Sequence, residues 1–318
     1  EKEITNLGGR IFRLPEPKLL GIRSYQKDLY KLLKQNQFCA IHSHTHFFSG
    51  LILEVAKKVP IPVRVAHSHT TSHGRKETIL RQIYLAYMKS AILKNATHRF
   101  GCSEAACDSL FGKAAATVVI PNSFDLEKYE QLSKEIGNRH TTTAPIIGHI
   151  GRFDKVKNHL FFLETFHHFK KEFPEATAIL IGDGPERENI VDAIAKYKLT
   201  DSVKLLGIRS DIPEILGTMD LFLFPSLYEG LGNVIIEAQA AGVTCLVSDT
   251  VPKEVDLSMN LVTFKNLQDG AKAWAETLVD IMKSMKTPSW TIRKQHLKEH
   301  GYHLKENVNY LEKVYNGL

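Results

Sequence analysis

Cysteine is scarce in this chain of 318 residues, and the four cysteines form no Cys-x-x-Cys pair. They are Cys39, Cys102, Cys107 and Cys245. This scatter excludes a disulfide framework and indicates a reducing compartment such as the cytoplasm. No apolar run approaches the roughly 20 residues that a membrane-spanning helix needs, and no signal-peptide pattern opens the sequence. We therefore expect a cytoplasmic protein.

Positive charge is unevenly distributed along the chain. Residues 1–142 hold 21 Lys and Arg against 12 Asp and Glu, whereas residues 143–318 hold 20 against 23. A basic first half suits a phosphorylated partner, an anionic membrane face or nucleic acid. Nucleic acid is the least favoured of these, because the basic residues are not interleaved with aromatic ones and match no known binding module. An ordinary basic surface is the alternative interpretation.

The most informative stretch is Leu221–Ser248. Its pattern predicts a buried strand, a loop that carries Glu229, Gly230 and Gly232, a helix over 233–241 and a second apolar strand. This order is typical of a parallel α/β sheet, in which ligands bind beyond the carboxyl ends of the strands. The loop is therefore where we expect the chemistry.

Two carboxylates flank this predicted site, with Glu229 on the loop and Glu237 one turn into the helix. The loop glycines allow close approach of the backbone to a ligand, and the helix start offers N–H groups suited to phosphate. Because phosphate repels carboxylates, the two acids would serve sugar hydroxyl groups instead. The alternative is an ordinary crossover whose acids are solvated residues near a helix start.

The segment EGLGNVIIEA, from Glu229 to Ala238, resembles the E-x7-E signature of the retaining glycosyltransferases of family four, which have the GT-B fold. In that family the first Glu contacts the donor sugar and the second contacts the nucleotide ribose. The resemblance therefore implies a catalytic-site role for Glu229 and a ribose-binding role for Glu237. It also implies that the intervening residues line the nucleotide-sugar site: Gly230, Leu231, Gly232 and Asn233.

A second segment, GRFDKVKN, places two cations five residues apart just before a predicted helix. Arg152 can hold phosphate oxygens with two hydrogen bonds, and Lys157 can add a point charge. The family has the same GR-x4-K pattern, which implies that Gly151, Arg152 and Lys157 hold the donor diphosphate. Gly207, after another predicted strand, corresponds to the position where backbone groups of the family bind the nucleobase. Solvated loop cations are the alternative.

The sequence contains no Asp-x-Asp, the motif with which metal-dependent transferases hold a cation against the diphosphate. Arg152, Lys157 and the starts of helices could supply the positive charge instead. We therefore predict that no metal and no cofactor are required, and that a nucleotide-sugar, specifically a UDP-sugar, is the co-substrate.

Histidines cluster in the first half of the chain: His42, His44, His46, His67, His69 and His73. A His-x-His pair at a strand end could bind zinc if a third ligand were supplied. The lack of His-Glu-x-x-His and the small number of nearby acids argue against a metal. The segment AHSHT also resembles the family's strand ending in His-Thr, whose histidine lies near donor sugar and acceptor. That implies a catalytic-site positioning role for His69, with His67 the less favoured choice.

The alternation of predicted strands and helices is typical of Rossmann-like domains. With the resemblance, it implies an α/β, GT-B architecture of two doubly wound domains facing each other across a cleft. We expect an acceptor-binding domain at 1–142, a nucleotide-sugar domain at 143–300, and a C-terminal helix within 301–318 that packs back on the first. The polar stretch 126–145 is the predicted linker. The first domain is expected to lack its first strand and helix.

The resemblance implies transfer of a hexose or N-acetylhexosamine from a UDP-sugar, with retention, to a glycan or polyprenyl-linked saccharide in bacterial capsule or exopolysaccharide assembly. A basic amphipathic helix predicted at 76–94 suits an anionic membrane surface, which would make the protein peripheral on the inner face of the cell membrane. Packing of that helix on its own sheet is the alternative. Two other functions remain open: a GT-B enzyme of another chemistry, such as a UDP-sugar epimerase, and an inactive partner subunit.

Overall fold

The structure is a computed structural model that describes residues 1–17, 21–70, 78–136 and 144–317. The chain divides into two compact units. Unit 1 comprises Glu1–Pro121 with Val308–Leu318, and unit 2 comprises Asn122–Asn307. Each unit contains one parallel β-sheet.

Unit 1 is built on four parallel strands in the order β1-β2-β3-β4. The strands are β1 (Ala40–Ser43), β2 (Val63–Ser68), β3 (His98–Gly101) and β4 (Val118–Val119). The helices before and between them are Lys2–Asn6, Ile22–Gln35, Ser49–Lys58, Ile79–Asn95 and Glu104–Phe111. The regular alternation of strand and helix follows from the parallel pairing, which requires a crossover between neighbouring strands.

The last helix, Leu304–Tyr315, belongs to unit 1 from Val308 onward. Val314 is buried in one apolar cluster with Val63, Val65 and Phe100 of the sheet. These contacts bring the C-terminal helix into one core with strands β2 and β3, which come much earlier in the chain.

Unit 2 is built on six parallel strands in the order β10-β9-β8-β5-β6-β7. The strands are β5 (Ile146–Ile150), β6 (Thr177–Ile181), β7 (Val203–Gly207), β8 (Leu221–Phe224), β9 (Thr244–Ser248) and β10 (Val262–Lys265). The helices are Leu126–Ile136, His159–Phe169, Arg187–Lys196, Ile212–Leu216, Asn233–Ala241, Gly270–Ser284 and Trp290–Glu299. Strand order reverses between β5 and β8, which makes their carboxyl ends the topological switch point of the sheet.

Both faces of this sheet are covered, which explains why its central strands are apolar without alternation. In β8 the side chains of Leu221 and Leu223 belong to one buried cluster, and those of Phe222 and Phe224 belong to the other. Gly148 of β5 has no room for a side chain, because a Cβ there would lie 1.9 Å from the sulfur of Met219.

The predicted linker at 126–145 is wrong for its first part. Leu126–Ile136 forms a helix of unit 2, and Leu126 and Tyr129 are buried in the core of that unit. The two residues are three positions apart and therefore lie on one helix face. Residues 137–143 of the predicted linker lie outside the described residues.

Candidate functional site

The loops that follow β5 and β8 are bonded to each other at the switch point of unit 2. The backbone N–H of Leu227 donates to the carbonyl of Val156 at 2.8 Å. The side-chain amide of Asn158 donates to the carbonyl of Pro225 at 3.1 Å. These bonds hold the two predicted donor-binding segments side by side, although about 70 residues separate them in sequence.

An ion pair joins the two loops. Lys157 Nζ donates to Glu229 Oε1 at 2.5 Å, and the two side chains are only 20% and 11% exposed. The same ammonium group lies 5.0 Å from the centre of the Phe224 ring, over its face. Two residues predicted from separate motifs are thus one charged pair that is largely shielded from water.

A local cap fixes the backbone at Lys157. Asp154 Oδ1 accepts from the Lys157 backbone N–H at 3.2 Å and so ends the loop in a short 3-10 turn, Lys155–Lys157. Asn158 then adopts the left-handed conformation, with φ 55°, before the helix begins. Asn has a short polar side chain that tolerates this conformation, which fits its position at the turn.

Arg152 differs from Lys157. Its side chain is exposed, and within the described part of the chain no hydrogen bond or ion pair holds it. Gly151 beside it is bonded to the sheet, since its N–H donates to the carbonyl of Ile181 at 2.9 Å. The predicted pair of cations therefore consists of one shielded, paired amine and one exposed guanidinium.

Glu237 lies in the helix Asn233–Ala241, which begins after Gly232 in the left-handed conformation, with φ 89°. Burial raises the pKa of its carboxyl group. Burial, and then the charges of Glu237 and Glu214, also raise the pKa of the Tyr129 phenol. Among the described residues Glu237 has no ion-pair partner, so its oxygens remain available as hydrogen-bond acceptors.

The remaining predicted residues have different surroundings. Leu231 is a core residue, with 7% of its surface exposed, so its side chain supports the loop. Gly230 is open, since nothing lies within 4 Å of where a Cβ would be. Gly207 ends β7 with φ 65°, and its carbonyl accepts from the Gly182 N–H at 2.9 Å. The Asn233 side-chain oxygen is buried, and no hydrogen-bond partner for it lies in the described part of the chain.

Polar groups that no sequence motif indicates support the β8 loop. Thr250 Oγ1 donates to the carbonyl of Ser226 at 2.8 Å, and Ser248 Oγ lies 2.7 Å from Thr250 Oγ1. A usable signal was present, because Ser and Thr directly after an apolar strand commonly bond to nearby backbone groups. Together with Asn158 they fix the loop that holds Glu229.

The turn after β6 packs directly on the diphosphate-binding candidate loop. A Cβ on Gly182, whose φ is 140°, would lie 2.0 Å from the carbonyl oxygen of Gly151. We therefore expect Gly182→Ala to lower the free energy of unfolding by about 2–3 kcal/mol, because both the backbone conformation and the contact resist a side chain. Urea unfolding measures this. Gly230→Ala is the matched control and should leave the unfolding midpoint unchanged; equal midpoints for the two variants would contradict the prediction.

In unit 1, four imidazoles form a cluster at the carboxyl ends of β1 and β2. His42 Nε2 lies 3.1 Å from His67 Nδ1, and His44 Nδ1 lies 2.7 Å from His69 Nε2. His42 Nδ1 lies 2.5 Å from the hydroxyl of Tyr315. The predicted His69 is thus held by another histidine; His73 lies outside the described residues.

Three of these imidazoles, those of His42, His44 and His67, are neutral near pH 7. Burial, followed by the charges of neighbouring imidazoles, lowers the pKa of His42 and of His67 to about 3. Burial and the charge of His69 also lower the pKa of His44. Each of these three rings therefore keeps one N–H donor and one nitrogen acceptor.

Comparison with known proteins identifies the chain. Residues 2–128 match the sequence model described as Glycosyltransferase Family 4, and residues 144–284 match Glycosyl transferases group 1. The putative glycosyltransferase EpsF of Bacillus subtilis is 35% identical over 326 residues, which cover 99% of this chain and 85% of that protein. The chain belongs to glycosyltransferase family four. The predicted family is confirmed, and this glycosyltransferase is a transferase enzyme.

Two further relatives carry more specific names. The capsular polysaccharide biosynthesis glycosyltransferase CapH of Staphylococcus aureus is 26% identical over 90% of this chain and 79% of its own length. The UDP-Gal:alpha-D-GlcNAc-diphosphoundecaprenol alpha-1,3-galactosyltransferase of Escherichia coli is 28% identical over 70% of this chain and 60% of its own length.

Solved structures confirm the predicted fold class. Anabaena HepE in complex with UDP superposes with a TM-score of 0.73 at 20% identity, covering 96% of this glycosyltransferase and 85% of HepE. A Rickettsia africae glycosyltransferase gives the same TM-score at 17% identity, covering 99% and 86%. The fold is GT-B, with two Rossmann-like halves. Within the described residues, no helix of this glycosyltransferase has both the length and the apolar character needed to cross a membrane.

Proposed function

We propose that this glycosyltransferase transfers a sugar from a UDP-sugar, with retention of anomeric configuration, to a glycan or lipid-linked saccharide in surface polysaccharide assembly. The observation that carries the proposal is the shielded Lys157–Glu229 pair at the switch point of unit 2. Known relatives support the chemistry: HepE is named as a complex with UDP-glucose, and the Escherichia coli relative is named for a UDP-galactose donor and a diphosphoundecaprenol acceptor.

Each donor-site residue has a role that follows from its surroundings. Glu237 accepts hydrogen bonds from the ribose hydroxyls, because it is a carboxylate with no ion-pair partner among the described residues. Gly207 presents backbone groups to the nucleobase. Arg152 is exposed and holds diphosphate oxygens with two parallel N–H donors.

Lys157 and Glu229 act as a unit. An ammonium group has three N–H bonds, so Lys157 can keep its hydrogen bond to Glu229 while it also donates to a β-phosphate oxygen of the UDP-sugar. Glu229, oriented by that bond, accepts from hydroxyls of the donor sugar. As the bond from the sugar to the diphosphate breaks, negative charge grows on the departing phosphate. Arg152, Lys157 and the start of the helix Asn233–Ala241 stabilise that charge without a metal.

His69 in unit 1 positions the reacting sugars. Its Nε2 lies 2.7 Å from His44 Nδ1, and this contact orients the imidazole ring. The ring nitrogens of a histidine can donate to or accept from hydroxyl groups, which suits contact with sugar hydroxyls.

The acceptor would be reached at an anionic membrane surface. The helix Ile79–Asn95 exposes large apolar side chains in its first turns: Ile79 at 77%, Leu80 at 80%, Ile83 at 62% and Tyr87 at 59%. Arg81, Lys89 and Lys94 of the same helix are complementary to anionic headgroups. The Campylobacter jejuni relative is likewise named for a diphospho-undecaprenol acceptor.

Liposome binding tests the membrane surface. The double variant Leu80→Glu/Ile83→Glu is expected to reduce co-sedimentation with phosphatidylglycerol vesicles at least about 10-fold. The variant loses two apolar side chains that would insert into the membrane, and its two added carboxylates are repelled by the anionic headgroups. Val191→Glu, an exposed apolar residue of a helix in unit 2, is the control and should bind as the wild type does. Equal binding by the wild type, the double variant and the control would contradict the proposed membrane surface.

Product analysis tests the reaction itself. The enzyme is incubated with UDP-glucose, UDP-galactose and the two UDP-N-acetylhexosamines in turn, with synthetic polyprenyl-diphosphate sugars as acceptors and EDTA present. We expect acceptor-dependent release of UDP from one donor and an α-linked product by NMR from an α-linked donor. An inverted linkage would contradict retention. Conversion of a UDP-sugar to its epimer with no glycosidic product would favour the epimerase alternative.

A further inference from the structure

The histidine cluster of unit 1 contains four imidazoles, whereas the proposed function uses only His69 and the contact of His69 with His44. His-x-His occurs twice, once at the end of β1 and once at the end of β2. Residues two apart point to the same face of a strand, and the strands are paired in parallel with Ser43 opposite Ala66. The next residues along this register, His44 and His67, have ring centres 5.2 Å apart. The topology thus gathers four imidazoles on one face.

We propose that the carboxyl ends of β1 and β2 bind a divalent transition-metal ion, with zinc as the best fit, through one ring nitrogen each of His42, His44 and His67. These ligands belong to unit 1 and differ from the residues proposed to hold the diphosphate, although His44 also contacts His69, which the proposed function uses. The sequence disfavoured a metal here because acidic ligands were few. Imidazole alone, however, forms known three-histidine zinc sites with an open fourth position.

The distances support this assignment. Candidate ligand atoms of the three histidines lie within 4.8 Å of one another. In a tetrahedral site with metal–nitrogen bonds near 2.0–2.1 Å, neighbouring nitrogens are roughly 3.4 Å apart. The pair His42 Nε2 and His67 Nδ1 is already at 3.1 Å. Small rotations of the three side chains are therefore enough to bring their ligand nitrogens to bonding distance of one ion.

Protonation is also compatible with metal binding. The short contact between His42 and His67 requires one proton between the two nitrogens. With His42 Nε2 bound to a metal, the ring proton of His42 lies on Nδ1, which then donates to the Tyr315 hydroxyl 2.5 Å away. Metal-bound histidines usually donate their second nitrogen to such a partner. His69, 2.7 Å from His44, remains outside the ligand set and contacts it.

Metal titration of the full chain tests the site. The protein is stripped with EDTA, dialysed, and titrated with Co²⁺, whose visible absorption reports a four-coordinate site, and with Zn²⁺ by calorimetry. We expect one ion per chain. His42→Ala, His44→Ala and His67→Ala should each weaken binding at least about 100-fold, and Tyr315→Phe should weaken it about 10-fold through the orientation of His42.

A matched control separates this site from adventitious binding. His296 and His300 in unit 2 are four residues apart on one helical turn, a spacing that also binds metals. The double variant His296→Ala/His300→Ala should keep both the stoichiometry and the cobalt spectrum. Because His44 is exposed, His44→Asn is the variant least disturbing to folding, and circular dichroism checks it. The absence of stoichiometric binding to wild type, or binding lost only in the His296/His300 variant, would overturn the proposal.

Discussion

Glu229→Gln is expected to lower turnover at saturating donor by about 10²–10³-fold. The substitution keeps the shape of the side chain but removes its charge, so Lys157 loses its ion-pair partner in a site where both groups are mostly shielded. Hydroxyls of the donor sugar also lose an ionised acceptor. In the proposed function Glu229 contacts the sugar and not the nucleotide, so UDP affinity should change by no more than a few-fold. Steady-state kinetics and UDP calorimetry measure the two effects.

Two comparisons sharpen this test. Glu254→Gln, an exposed acid of the same unit, is the control and should leave turnover unchanged. Lys157→Ala should also lose turnover, and the double variant Lys157→Ala/Glu229→Gln should lose little beyond either single variant, since the pair acts as a unit. Additive losses would show that the ion pair is incidental. Turnover of Glu229→Gln within three-fold of wild type would contradict the role of Glu229.

Glu237→Gln is expected to have opposite effects on donor binding and on stability. Burial raises the pKa of the Glu237 carboxyl group, so the ionised form is disfavoured in the folded protein. Removing the charge should therefore raise the unfolding temperature of the ligand-free protein at neutral pH. UDP affinity should fall about 10-fold or more, because hydrogen bonds to a charged acceptor are the stronger kind.

The pH dependence has a definite sign. A carboxyl group with a raised folded pKa contributes most stability below its unfolded pKa, and that contribution is lost as pH rises through the folded pKa. The stability gained by Glu237→Gln should therefore shrink as pH falls toward 4.5, the ordinary value for Glu. Thermal unfolding between pH 4.5 and 8 measures it. A variant that is less stable than wild type at pH 8 would show that Glu237 is a structural residue.

The local structure of the candidate donor site can be predicted from sequence, because its short motifs coincide with single loops and helix starts. The carboxyl end of β8, the glycine-rich loop and the helix start are contiguous, so their order along the chain predicts their positions. Gly207 at the end of β7 follows the same logic. The pairing of Lys157 with Glu229 was not accessible, because it depends on strand order and joins residues 72 positions apart.

Two features illustrate what sequence patterns conceal. The helix Leu126–Ile136 looked like a linker because its surface is polar, yet Leu126 and Tyr129 bury one narrow face. The contact between His42 and Tyr315 joins residues 273 positions apart, and no local pattern reports such a pair. In both cases the structure is determined by contacts between residues that are distant in sequence, which local composition does not reveal.

The central claim is that the switch point of unit 2 binds a UDP-sugar without a metal. It is tested most directly by thermal unfolding of the full chain with UDP, GDP, ADP and a panel of UDP-sugars, all in EDTA. At a ligand concentration 100 times the dissociation constant, the complex gains about 2.7 kcal/mol, which is a shift of several degrees. We predict such a shift with UDP and at least one UDP-sugar, and a much smaller one in Glu237→Gln. No shift with any nucleotide would contradict the account.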